Sequence, residues 1–157
     1  MDERKFELVS KYNDEKYMQL MPQRATAGSA GYDFKAAKDV LIKPRSKPVL
    51  VPAGIKVQMP RDNVLLLFNR SSNPLKRNLV VSNGVGVIDS DYYNNDNNEG
   101  EIFGQFINIG DTPVEIKFGQ KIMQGIFMPY CLAVNDVPLN MQRNGGFGST
   151  DKLGDDN

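Results

Sequence analysis

The chain has 157 residues, enough for one domain with a substantial core, and its 19 basic and 19 acidic residues cancel, so no overall field draws it to nucleic acid or an anionic membrane. It has no histidine, which excludes Ser-His-Asp and Cys-His catalysis, imidazole metal sites and an imidazole base; a catalytic base would be a carboxylate, and a metal would be a hard cation held by oxygen. Its single cysteine, Cys131, excludes a disulfide framework and a thiolate zinc site, suits a reducing compartment, and is expected as a small buried residue after a strand.

Residues 1–17 are dense in charge and contain no apolar h-region, and no stretch elsewhere approaches about 18 apolar residues, so a soluble, cytoplasmic protein with no membrane partner is expected, in the host cytoplasm if virus-encoded. Within that segment Phe6, Leu8 and Val9 suggest an added edge strand. Ala30-Gly31-Tyr32-Asp33 places a carboxylate just after a tight glycine turn. Residues 48–59, PVLVPAGIKVQM, read as strand, Pro-Ala-Gly turn, strand; the turn cluster Pro60-Arg61-Asp62-Asn63 precedes a further strand over Val64–Phe68.

Arg70-Ser71-Ser72 ends that strand, and Ser72-Asn73-Pro74 supplies a capping residue followed by proline, which predicts one short helix over 74–78. Free backbone N–H groups, two hydroxyls and a guanidinium at this place suit an anion. Asn83 to Asp89 runs a strand into a carboxylate. Residues 101–118, EIFGQFINIGDTPVEIKF, read as a hairpin around Gly-Asp-Thr-Pro, its second strand alternating apolar and charged residues. Residues 120–130 form one more strand, which carries Gln124 amid apolar neighbours. From Asn140 the chain is glycine-rich and nearly devoid of apolar residues, so 140–157 is read as a flexible arm appended to a single domain spanning 1–139. Many short strands with Gly and Pro turns predict an all-β antiparallel sandwich or distorted jelly roll.

Several motifs fail. GxxxxGK[ST] is absent; GVGVID at 84–89 has Asp89 where a dinucleotide fingerprint needs its third glycine; and a calcium loop starting at Asp89 would require glycine at Asn94 and glutamate at Gly100. Five short segments do occur in a known order: AGYDF (30–34), RSS (70–72), Asn83–Tyr92 with its GVIDSDY core, GQKIMQ (119–124) and GGFGST (145–150). In these the chain resembles the trimeric dUTPases, over roughly residues 18–150.

The resemblance implies a jelly-roll homotrimer whose three active sites lie at subunit interfaces, with Mg²⁺-dependent hydrolysis of dUTP to dUMP and pyrophosphate. Such chemistry needs positioned water, a base and charge neutralisation, but no histidine. Carried over by position, Asp89 would hold and deprotonate the water, and Tyr92 would pack on the deoxyribose and exclude a 2′-hydroxyl. Asn83 and the backbone near Val87, Ile88 and Phe103 would bind uracil. Arg70, Ser71 and Ser72 would hold phosphates, with Gln124 at the α-phosphate and the water. Asp33 would act on Mg²⁺ through its water shell. Arg143, Ser149 and Thr150 would bind the γ-phosphate while Phe147 stacks on uracil.

Three departures stand out. Asn69 occupies a position where the family commonly has proline; Arg143 lies one residue nearer the glycines than usual; and Tyr93–Glu99 supplies seven residues where one is usual, a polar tip that costs little to close and has no evident role beyond a further protein partner. Two other readings remain open: a dCTP deaminase-like enzyme of the same fold, against which the GGFGST tail and the Asp-x-x-Tyr hairpin argue, and a protein-binding member whose catalysis is idle.

Overall fold

The computed structural model describes residues 3–139. The expected arm over 140–157, with Arg143, Phe147, Ser149 and Thr150, lies outside the described residues. In chain order the strands are β1 (Lys5–Leu8), β2 (Gln23–Arg24), β3 (Tyr32–Lys35), β4 (Val40–Ile42), β5 (Val49–Pro52), β6 (Ile55–Gln58), β7 (Asn63–Asn69), β8 (Leu79–Val81), β9 (Gly86–Ile88), β10 (Phe103–Asn108), β11 (Val114–Ile116) and β12 (Lys121–Pro129). They form four antiparallel sheets, ordered β1-β6, β5-β10-β8, β11-β4 and β2-β3-β12-β7-β9. The expected edge strand near Phe6 is present, in register with β6 (Phe6 opposite Val57).

The strand content over 101–118 matches the sequence reading, but the expected hairpin does not form. β10 pairs with β5 and β8, while β11 pairs with β4. Asn108 explains the change of direction. Its buried side chain donates to the carbonyls of Ile42 (3.0 Å) and Thr112 (2.8 Å) and accepts from the N–H of Gly110 (2.9 Å). Buried backbone groups that would otherwise lack partners are thus satisfied by a chain that turns toward β4 rather than back along β10. β5 and β6 likewise part company across Ala53-Gly54, one entering the β10 sheet and the other pairing with β1.

Among the described residues the one α-helix, α1, spans Ser72–Arg77 rather than starting at Pro74. Its N-cap is Ser71, whose side chain makes no capping bond, and Pro74 sits inside the first turn, where its missing N–H has no intrahelical role. The helix stops at Asn78, which adopts a left-handed conformation (φ 53°) of the kind asparagine tolerates. Two 3-10 helices, Ser10–Tyr12 and Glu15–Leu20, were not legible as periodic segments; the second places Leu20 in the core.

The core joins the sheets through Phe34, Ile42, Ile55, Leu65, Leu79, Ile102, Phe106, Ile116, Ile122 and Met123, all at most 1% exposed. Each such aliphatic or aromatic side chain contributes about 1.5–3 kcal/mol of burial. Cys131, expected to be buried, is exposed, because Pro129 ends β12 and the chain runs along the surface from Tyr130 onward. Among the described residues no helix is long and apolar enough to cross a membrane.

Candidate functional site

Three motifs far apart in sequence meet where β3, β7 and β12 lie side by side. In β12, Lys121 stands opposite Lys35, and Gln124 stands opposite Asp33 on one side and Phe68 on the other. The β3–β12 ladder is irregular between Lys121 and Met123. Strict alternation would put Lys121 and Gln124 on opposite faces, whereas the irregularity brings both to the face of Asp33 and Lys35. Lys121 was not singled out from the sequence for this reason, although it lies within GQKIMQ.

Asp33, whose side chain is 14% exposed, is the hub of the cluster. The Lys121 ammonium lies 2.7 Å from its Oδ2, and Arg70 Nε lies 3.5 Å from its Oδ1. Arg70 Nη1 also donates to the Lys121 carbonyl at 3.4 Å, and Gln124 Nε2 donates to the Asn69 carbonyl at 3.3 Å. Gly31 makes this arrangement possible, since a Cβ there would stand 2.7 Å from Gln124 Oε1 and 3.2 Å from its Cβ, displacing the amide. Two cations, an amide and a carboxylate therefore share one place. Arg77 adds a third cation nearby, donating to the Glu115 carbonyl (3.0 Å) and to Gln120 Oε1 (3.3 Å); burial first, and the charge of Arg70 second, lower its pKa from the ordinary arginine value.

The turn that presents Arg70-Ser71-Ser72 is held by a pair of asparagines. Asn73, 1% exposed, donates from Nδ2 to Asn69 Oδ1 and to the Ile122 carbonyl, both at 2.7 Å, and Asn69 in turn donates to the Leu79 carbonyl at 3.0 Å. Asn69, which departs from the usual proline, thus ties the end of β7 to α1, β8 and β12. Asn73→Ala is expected to lower stability by about 1–3 kcal/mol, since it leaves buried acceptors unpaired; denaturant unfolding measures this, and an unchanged midpoint would show that the pair bears no load.

The Asn83–Tyr92 segment crosses between two sheets, β8 pairing with β10 and β9 with β7. A cavity of about 10 Å³ opens there, lined by Asn83, Gly86, Phe103 and Gln105 over Leu67 and Met123. Asn83 is exposed, Val87 is 58% exposed, and Ile88 is half-buried against Leu65 in the ladder. Asp89 is exposed and precedes a 3-10 turn, Ser90–Tyr92, whose Tyr92 N–H donates to the Asp89 carbonyl at 3.2 Å. Tyr92 is 5% exposed and its hydroxyl donates to the Glu101 carbonyl at 2.8 Å. Ser71 is exposed and Ser72 half-buried at the start of α1. Within one chain the structure thus brings together Asp33, Arg70 and Gln124, and separately Asn83 and Phe103.

Among the described residues no group of three Asp, Glu, His or Cys side chains could hold a metal ion, and Asp33 is a single carboxylate engaged by two cations. A single carboxylate of this kind would suit only a hard cation that keeps most of its water shell.

Comparison with known proteins identifies the family. Residues 18–151 match the family model of the dUTPases. The deoxyuridine 5'-triphosphate nucleotidohydrolase of Lactococcus lactis subsp. lactis (strain IL1403) is 46% identical over 148 residues, 94% of this chain and 97% of that one. The crystal structure of dUTPase from Streptococcus mutans superposes with a TM-score of 0.77 at 51% identity, over 82% of this chain and 97% of that one. A dUTPase from phage phi11 of S. aureus that coordinates a structural Mg(II) ion is 20% identical, with a TM-score of 0.68 over 89% of this chain and 99% of that one, a likeness of fold alone. A match over most of the chain, together with near-half identity along almost the full length of a relative, places this chain in the dUTPase family.

Proposed function

We propose that this chain hydrolyses dUTP to dUMP and pyrophosphate, as a jelly-roll homotrimer with its active sites at subunit interfaces. The observation that carries the reading is the meeting of Asp33, Arg70 and Gln124, from three separate motifs, around one cluster of charge. The trimer is supported by exposed apolar side chains on the strands, Leu41, Leu50 and Met128 among them, and along Leu132, Val134, Val137 and Leu139 beyond β12. A cytoplasmic location belongs to the same reading.

In the proposed reaction a water oxygen attacks the α-phosphorus, the α–β anhydride bond breaks, and pyrophosphate leaves. Asp89 takes the proton of the attacking water. Gln124 orients the α-phosphate and that water, while Arg70, Ser71 and Ser72 hold the phosphate chain by charge and hydrogen bonds. Binding of phosphates would draw Arg70 from Asp33, and Lys121 would remain to neutralise that carboxylate. Asp33 would hold Mg²⁺ through water, and the ion would supply charge neutralisation for the triphosphate. Asn83, with backbone near Val87, Ile88 and Phe103, binds uracil, and Tyr92 walls off the sugar. Arg143, Ser149, Thr150 and Phe147 close over the γ-phosphate and the base, excluding water.

The deciding experiment is a pyrophosphate-release assay across dUTP, dTTP, dCTP and UTP, with ammonia measured in parallel. Release from dUTP alone is expected. Ammonia from dCTP without pyrophosphate would overturn the reading.

A further inference from the structure

The Tyr93–Glu99 insertion is a folded element rather than a loose tip. Asn95 is 7% exposed, and its Oδ1 accepts the N–H groups of Asn97 (3.0 Å) and Asn98 (3.1 Å). Its Nδ2 donates to Asn98 Oδ1 and to the Tyr92 carbonyl, both at 2.8 Å. Asn98 Oδ1 also accepts the N–H of Gly100 at 3.1 Å, and the Glu99 N–H returns to the Asn95 carbonyl at 3.0 Å. Gly100 closes the loop with φ 83°, and a Cβ there would lie 2.5 Å from the Tyr92 carbonyl oxygen, so only glycine permits the return.

The outer side of the loop is fastened to the N-terminal segment. The Tyr93 hydroxyl donates to Glu7 at 2.6 Å, Lys56 Nζ donates to Asn94 Oδ1 at 2.6 Å, and the Ser10 hydroxyl and N–H donate to Glu99. Hydrogen bonds hold both carboxylates below their ordinary pKa: Lys5 and then Tyr93 at Glu7, the Ser10 hydroxyl and then its N–H at Glu99. With its outer side fixed, the loop sends one amide inward. Asn98 Nδ2 donates to the Tyr92 hydroxyl at 2.7 Å, and that hydroxyl donates onward to the Glu101 carbonyl. The Tyr92 hydroxyl is therefore gripped from both sides, and its carbonyl is held by Asn95.

We propose that the Tyr93–Glu99 loop is a brace that immobilises Tyr92 as the wall against a ribose 2′-hydroxyl, with Asn98 as its positioning residue. This rests on the reading of Tyr92 as the sugar wall. A hydrophobic pocket rejects a substrate that merely adds a hydroxyl by only about 10²-fold, so a wall that resists displacement adds to the discrimination. A ring anchored only by packing can retreat by the small distance the extra oxygen needs. A ring whose hydroxyl is bonded on both sides retreats only by breaking those bonds.

The test is Asn98→Asp, assayed with dUTP and UTP. Aspartate keeps the acceptor that holds Gly100 and Asn95 but cannot donate to Tyr92. The expected result is that kcat/KM for UTP relative to dUTP rises about three- to tenfold, the worth of one hydrogen bond, while kcat for dUTP stays within about twofold. Tyr92→Phe reads the same strut from its other end and should relax the ratio similarly, with Asn98→Asp adding nothing in that background. An unchanged ratio in both variants, or an equal effect of Asn98→Asp in the Tyr92→Phe background, would overturn the brace. Tyr92→Ala separates the two ideas: if it leaves the ratio unchanged, the sugar-wall reading itself fails, whereas a large loss beside an unaffected Asn98→Asp defeats only the brace.

Discussion

Asp89→Asn is expected to retain dUTP binding and to lose about 10²–10⁴-fold in turnover, the range a positioned general base contributes. Asp89 is exposed, and what its backbone contributes to the fold is the carbonyl that receives the Tyr92 N–H, which asparagine supplies equally well. Asparagine fills the same volume but has no basic lone pair at neutral pH. No histidine anywhere in the chain can take over the proton. Pyrophosphate release and calorimetric binding of dUTP measure the two quantities separately. Turnover within a few-fold of the parent would remove Asp89 from the role of base.

Arg70→Ala is expected to lower kcat/KM for dUTP by about 10²–10³-fold, the scale of losing one preorganised charge-stabilising donor, with little change in the melting transition. Stability should hold because Arg70 is one of two cations on Asp33, and Lys121, at 2.7 Å, is the nearer of them. The partly exposed Arg70 pair at 3.5 Å adds little to folding by itself. Arg70→Lys is expected to recover less than a tenth of the lost activity, since a planar guanidinium grips two phosphate oxygens at once and an ammonium does not. Full activity in either variant, measured by steady-state kinetics on dUTP, would place the phosphates elsewhere.

Much of the strand content was legible because alternation and turn residues act locally. Val64–Phe68, the strand after Gln120 and the edge strand near Phe6 all appear within a residue or two of their expected bounds. Sheet membership was not legible at the same level. The segment 101–118 has every local feature of a hairpin, yet its two strands join different sheets through a side chain, Asn108, whose partners Ile42 and Thr112 lie on either side of it in sequence. Lys121 escaped notice because an irregularity in β12 breaks the two-residue period on which facing is judged. Asn73 lies in the helix start, as its sequence context indicated, and is in addition a buried clasp beneath the Arg70 turn.

The sequence by itself determined the family and the residue types available for chemistry, in their order along the chain, because a missing histidine, a lone cysteine and five short motifs are properties of composition and spacing. Tertiary structure alone decided which of them meet. Asp33, Arg70, Lys121 and Gln124 lie up to 91 positions apart in number and converge only through the β3-β12-β7 ladder. It also decided what the Tyr93–Glu99 insertion is: asparagines that read as a polar tip form a closed hydrogen-bonded loop, against which Glu7, Ser10 and Lys56 are brought. A polar side chain carries no mark in sequence of whether water or protein will satisfy it, and that choice is made when distant strands pack.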